Sequence, residues 1–127
     1  MTWLAVASGG ALGSLARHAV NAVVARMLGS PSPLSTAIVN IVGCAIIGVL
    51  AGLIAGHSLR VTPAVRTFIF VGVLGGFTTF SSFGLDTLTL VHEGRTGAAF
   101  ANVVVQVFAG IAAVFLGYNA GLGMFRP

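Results

Sequence analysis

The segment Phe80-Ser81-Ser82-Phe83 sets two aromatic rings three residues apart, and therefore on one helix face, with two hydroxyls between them. A ring carries partial positive charge at its edge and negative charge on its face. Edge-on rings beside Ser81 and Ser82 thus offer an anion an attractive wall with no formal charge. Further neutral donors are Asn40, in the middle of an apolar run, and the i, i+4 pair Asn102 and Gln106. Moving a bare ion into an apolar interior costs on the order of tens of kcal/mol. Each hydrogen bond to a charged group returns about 1.5–3 kcal/mol, so an anion path needs several donors and a fixed positive charge. Arg17, inside an apolar run, is the candidate for that charge at a pore mouth, with Asp86 as its candidate partner. Plainer readings stand beside these: rings that only pack, carboxamides that glue helices together, and an arginine that snorkels to the interface.

Just upstream lies Gly75-Gly76-Phe77-Thr78-Thr79-Phe80. Adjacent glycines followed by β-branched residues weaken a helix, and unwound backbone at membrane depth must be buried by protein or line a polar cavity. Carbonyls freed there need partners, and a cation is one way to satisfy them. An unbroken glycine-rich helix crossing is the structural alternative.

Other chemistry is missing. Cys44 is the single cysteine and sits in an apolar run, so there is no disulfide framework, and His18, His57 and His92 have no ligand-pair spacing. The two acids are Asp86 and Glu93; with no carboxylate in the first, second or fourth apolar stretch, a proton-coupled pump lacks its relay. Ser81 and Ser82 have no histidine nearby in sequence to activate a nucleophile. An enzyme is not expected, nor an organic cofactor.

The elements that must position these groups are membrane helices. Hydrophobic residues make up 57% of the chain and charged residues only 6%, against roughly a quarter charged in soluble domains. Four apolar stretches, about residues 3–28, 34–56, 63–91 and 97–122, each reach the roughly 20 residues needed to cross a bilayer core. The first runs past the length of a secretory signal core and is expected to be a span. Short connections carry breakers: Gly29 to Pro33, His57 to Thr62 before Pro63, and Glu93 to Thr96. One all-α membrane domain over residues 1–127, with its third helix broken near the midplane, is the expected fold. Glycines recur at helical spacing, Gly9 with Gly13, Gly48 with Gly52 and Gly56, Gly72 with Gly76, and Gly117 with Gly121, a pattern that lets helices pack closely in lipid.

The six arginines are scattered singly, unlike a nucleic-acid footprint. Arg60, Arg66 and Arg126 fall on one side of the expected topology, Arg26 and Arg95 on the other, with Arg17 inside the first helix on that second half. So small a bias gives insertion little reason to choose one orientation. A chain that inserts both ways can pair with its inverted copy, so the expected unit is an antiparallel, dual-topology homodimer with its two-fold axis in the membrane plane.

With these residues assembled, the chain resembles the Fluc (also called CrcB) fluoride channel family over nearly its whole length. The resemblance is carried by Gly9-Gly10-Ala11-Leu12-Gly13 with Arg17, by Thr36-Ala37-Ile38-Val39-Asn40-Ile41-Val42-Gly43, by Gly75 through Phe83, and by the Asn102 to Gly117 helix. It implies a multi-pass protein of the bacterial inner membrane, a dual-topology homodimer that exports toxic fluoride passively through two pores, with a structural sodium ion at its centre. Residue by residue, it implies sodium ligands in the Gly75 and Thr78 carbonyls, pore rings in Phe80 and Phe83, a polar track in Ser81 and Ser82, and a pore-lining donor in Asn40. Two departures stand out: Gln106 where many relatives carry a hydroxyl residue, and Asp86 where many carry Glu. The alternative from another class, a small-multidrug-resistance-type proton-coupled exporter, would be expected to hold a Glu in the first helix, where this chain has Arg17 and no acid.

Overall fold

The computed structural model describes residues 2–124, so Arg126, one of the arginines weighed for topology, lies outside the described residues. Among the described residues the architecture is all-helical, with four helices: α1 (Thr2–Leu28), α2 (Pro33–Ala55), α3 (Pro63–His92) and α4 (Thr96–Gly123). Local chemistry sets their ends. Ser32 caps α2 by accepting from the Leu34 N–H at 3.2 Å, and Thr62 caps α3 by accepting from the Val65 N–H at 3.3 Å. In both helices a proline occupies the first turn, where its missing N–H costs nothing. Gly29 and Gly94 follow α1 and α3 with φ of 75° and 74°, the left-handed conformation that stops a helix.

Three of the helices are long and apolar enough to cross a membrane: α2 with 23 residues, α3 with 30 and α4 with 28. At 1.5 Å per residue even α2 reaches about 34 Å, more than a hydrocarbon core of about 30 Å. The fourth expected span, α1, has the length at 27 residues, but Arg17, His18, Asn21 and Arg26 make its second half mixed in character. Large apolar side chains on the outside, among them Leu15, Phe100, Phe108 and Phe115 at 66–71% exposure, fit a lipid surround and would be an aggregation hazard in water. The chain is a multi-pass membrane protein.

Two glycine seams hold the helices together. A methyl group at Gly9 would meet the Phe68 carbonyl and Gly72, and one at Gly13 would overlap the Val73 carbonyl, so α1 lies backbone to backbone against the first half of α3. Likewise Gly48 and Gly52 of α2 face the Val114 and Tyr118 carbonyls of α4, while Gly117 and Gly121 face the Ala45 and Val49 carbonyls in return. The glycine pairs noted in the sequence therefore pair with each other. This is how lipid-embedded helices adhere, by close van der Waals approach. Gly43 brings α2 equally close to Thr78.

Within α3 the backbone turns extended at Thr78 (φ −78°, ψ 160°) and Thr79 (φ −153°, ψ 112°), and helix resumes at Phe80. Gly75, by contrast, is helical (φ −64°, ψ −36°), and Gly76 lies against Gly10. The adjacent glycines thus serve packing and exposure; the two threonines carry the irregular backbone.

A substitution at a seam should be costly where one in open space is not. Gly52→Val should lower unfolding stability by about 2 kcal/mol or more through overpacking. Gly97→Ala, where a methyl meets open space, should change it by less than about 0.5 kcal/mol. Thermal unfolding in detergent compares them.

Candidate functional site

The extended pair is held from outside its own helix. The Thr79 N–H donates to Asn40 Oδ1 at 2.8 Å, and Asn40 Nδ2 donates back to the Thr79 carbonyl at 3.0 Å. Asn40 sits midway along α2, where Gly43 one turn on permits the approach. Its second amide hydrogen goes to Gln106 Oε1 at 2.7 Å. Gln106, buried in a stretch of α4 wound as π-helix at Val105–Ala109, donates from Nε2 to Asn102 Oδ1 at 2.9 Å. Asn102 Nδ2 donates to Thr87 Oγ1 at 2.9 Å, and Thr87 donates to the Phe83 carbonyl at 2.8 Å. A chain of hydrogen bonds thus leaves α3 at Thr79, crosses α2 and α4, and returns to α3 at Thr87, about two turns on, to end at the Phe83 carbonyl.

Thr79 is the second hub. Its buried hydroxyl caps the second half of α3 by accepting from the Ser82 N–H at 3.2 Å. It donates to Ser82 Oγ at 3.1 Å and lies 3.2 Å from Ser81 Oγ. Since the single Thr79 proton goes to Ser82, Ser81 must donate to Thr79, and Ser82 keeps its own proton for another acceptor. Gln106 and Asn102 each retain one further N–H.

The structure brings several of the expected site residues to one place. Gly75, Thr78, Asn40, Phe80, Phe83 and Gln106 line one cleft of about 500 Å³. Phe80 and Phe83 have ring centroids 5.3 Å apart with planes tilted by 50°, and Phe80 is 83% exposed. Ser82 lines a second cavity, of about 590 Å³, with Asp86, His18, Asn21 and Thr36. Arg17, half-buried, lines neither of these two cavities. The pairing of Arg17 with Asp86 does not form. Asp86 accepts from Thr36 Oγ1 at 2.6 Å instead, and among the described residues the one ion pair is the exposed Arg95–Glu93 contact at 3.2 Å.

Two features went unread in the sequence, the Thr79 hub and the Thr36–Asp86 bond. Thr79 had a legible signal, a hydroxyl residue directly before a helical run, as at an N-cap. Thr79→Val should therefore cost about 1–2 kcal/mol, the worth of a cap, whereas Thr79→Ser, which keeps the hydroxyl, should cost less than half as much; thermal unfolding of the two variants decides.

Comparison with known proteins places this chain in a family. The family model described as "CrcB-like protein, Camphor Resistance (CrcB)" matches residues 4–118. The fluoride-specific ion channel FluC of Methylobacillus flagellatus is 45% identical over 115 residues, which is 90% of this chain and 89% of that protein. FluC of Opitutus terrae is 46% identical over 123 residues, covering 96% and 93% of the two chains. FluC of Paracoccus denitrificans is 46% identical over 125 residues, covering 98% and 97%. The family match reaches into all four helices and includes every residue of the polar circuit from Asn40 to Gln106, so this chain belongs to the CrcB family.

Proposed function

We propose that this protein is a fluoride-selective channel through which toxic fluoride leaves a bacterial cell passively across the inner membrane. Three relatives that match nearly end to end carry the name fluoride-specific ion channel. The observation that carries the reading is Phe80, a large ring 83% exposed in a single chain, stacked with Phe83 in a cleft whose lining holds Gln106 and no carboxylate, while Asp86 lines the second cavity with Ser82. Ring edges, the Ser82 hydroxyl proton and the spare N–H groups of Gln106 and Asn102 are what this chain offers a dehydrated anion. The cleft at the two rings is lined by no carboxylate, histidine or lysine to take up a proton, so the ion passes without proton exchange and flux follows the electrochemical gradient.

The working unit in this reading is an antiparallel homodimer of dual topology with two pores, each α1 crossing the membrane and the extended pair of α3 lying near the midplane. Exposed Phe80 and exposed Gly75 support it, since both stand at the open cleft of one chain, where a second copy would cover them. The central cation is sodium, held by backbone carbonyls of Gly75 and Thr78 from both copies. The residues present fit it: the Thr79 N–H is bonded to Asn40, which leaves the Gly75 carbonyl without its helical donor, and carbonyl oxygens are the hard ligands such a cation takes. Two carbonyls from one chain fill only part of its coordination shell, which again calls for a second copy. When bound, sodium supplies fixed positive charge on the dimer axis.

Purified protein in liposomes should release trapped fluoride and retain chloride. Phe80→Ile and Phe83→Ile should each slow fluoride release roughly tenfold, the loss of a ring-edge contact worth about 1 kcal/mol or more, with little change in dimer content by cross-linking. Unchanged release in both variants would mean that the rings only pack.

A further inference from the structure

We propose that Asn40 is a splint that keeps the Gly75 carbonyl free by taking the Thr79 N–H away from it, and that Gln106 is a positioning residue that, together with the Thr79 backbone, holds the Asn40 amide facing the right way. In an unbroken helix the Thr79 N–H would bond the carbonyl four residues back, that of Gly75. Here it bonds Asn40 Oδ1 at 2.8 Å, and the same amide accepts no substitute geometry, because its Nδ2 also holds the Thr79 carbonyl at 3.0 Å. One side chain satisfies both backbone groups of one residue.

A carboxamide is nearly symmetric in shape, so its direction has to be set by its partners. The second Asn40 hydrogen meets Gln106 Oε1, and Gln106 presents that oxygen because its own Nε2 is committed to Asn102 Oδ1. Asn102 in turn donates to Thr87, and Thr87 to the Phe83 carbonyl. Every bond runs the same way, from a backbone N–H that can only donate to a backbone carbonyl that can only accept. Inverting the Asn40 amide would set N–H against N–H at Thr79, and inverting Gln106 would do so at Asn40.

One consequence separates this role from that of an ion contact: both Asn40 amide hydrogens are occupied. Asn40 has none left for a passing anion. Its effect on transport runs through the backbone of α3. A hydroxyl residue at position 106 is shorter than Gln106 and carries a single proton, so the orienting link is a property of the glutamine.

The link to sodium rests on the reading of Gly75 and Thr78 given above, and the test separates the two. Full-length protein carrying a 13C=18O carbonyl at Gly75, made by semisynthesis, is reconstituted in lipid, and the isotope-shifted amide I band is recorded first without sodium. Wild type should show a band at the high wavenumber of an unbonded carbonyl. Asn40→Leu should move it to lower wavenumber as the Thr79 N–H returns to Gly75, Gln106→Leu should move part of it, and Asn119→Leu, in a distant part of α4, should leave it in place. A bonded position in wild type, or a band unmoved by Asn40→Leu, overturns the splint; if that variant does not fold, the wild-type position and Gln106→Leu carry the test. A band unmoved by Gln106→Leu overturns the orienting role. Sodium is then titrated: the wild-type band should shift, and Gln106→Leu should raise the half-shift concentration about tenfold, the worth of one hydrogen bond. A free-carbonyl band that responds to the substitutions but not to sodium upholds the splint and removes the cation reading alone.

Discussion

The structure depends on how one residue's backbone is satisfied in an apolar surround. In hydrocarbon an unpaired N–H or C=O costs several kcal/mol, so helices cross membranes because they bond every group internally. Thr79 leaves that scheme, with extended dihedrals inside an otherwise helical segment, and both of its backbone groups are taken up by Asn40 from the neighbouring helix. Without an amide at that height on α2, helix would be the cheaper state for α3. The extended pair, the Thr79 cap on the second half of α3 and the Phe80–Phe83 pair all lie directly at or just after that clamp.

For the clamp to form, α2 has to approach α3 closely and α4 has to approach α2. Glycine makes both possible. Gly43 admits the Thr78 side chain, and the Gly48–Gly52 and Gly117–Gly121 seam sets α4 so near α2 that Gln106 reaches Asn40. On the other flank, Gly9 and Gly13 fix the first half of α3 against α1. Such seams give stability without using polar side chains, which leaves Asn40, Asn102 and Gln106 for the circuit. That circuit is directional because it starts at an N–H and ends at a C=O, and direction matters to an anion: it decides which N–H and O–H protons are consumed within the protein and which remain.

Much of this was legible in the sequence, and what was not has physical reasons. Helix limits could be read from Pro33, Pro63, Gly29 and Gly94, and the small-residue pairs could be read from i, i+4 spacing, because both signals are local. Which pair faces which could not, since any small stripe fits any other. Gly75 and Gly76 with the β-branched residues after them were expected to weaken the helix; Gly75 is helical and Gly76 packs on Gly10, the extended residues are Thr78 and Thr79, and the partner that takes up the Thr79 backbone lies 39 residues upstream at Asn40, beyond the reach of local propensity. Arg17 and Asp86 have opposite charge but do not pair, and Thr36 bonds the carboxylate instead. Asn102 and Gln106 were read correctly as one face, but the direction of their bonds needed the Thr79 N–H to set it.

The central claim is that this constellation passes fluoride and rejects other halides, and it is tested most directly by electrical recording. The protein reconstituted in a planar bilayer is placed between equal concentrations of fluoride on one side and chloride on the other, and the reversal potential is measured. A channel of the kind described here should give a large potential of the sign set by fluoride alone, as only that ion carries current. A reversal potential near zero, with current flowing, would show that the path does not distinguish the two anions and would contradict the account.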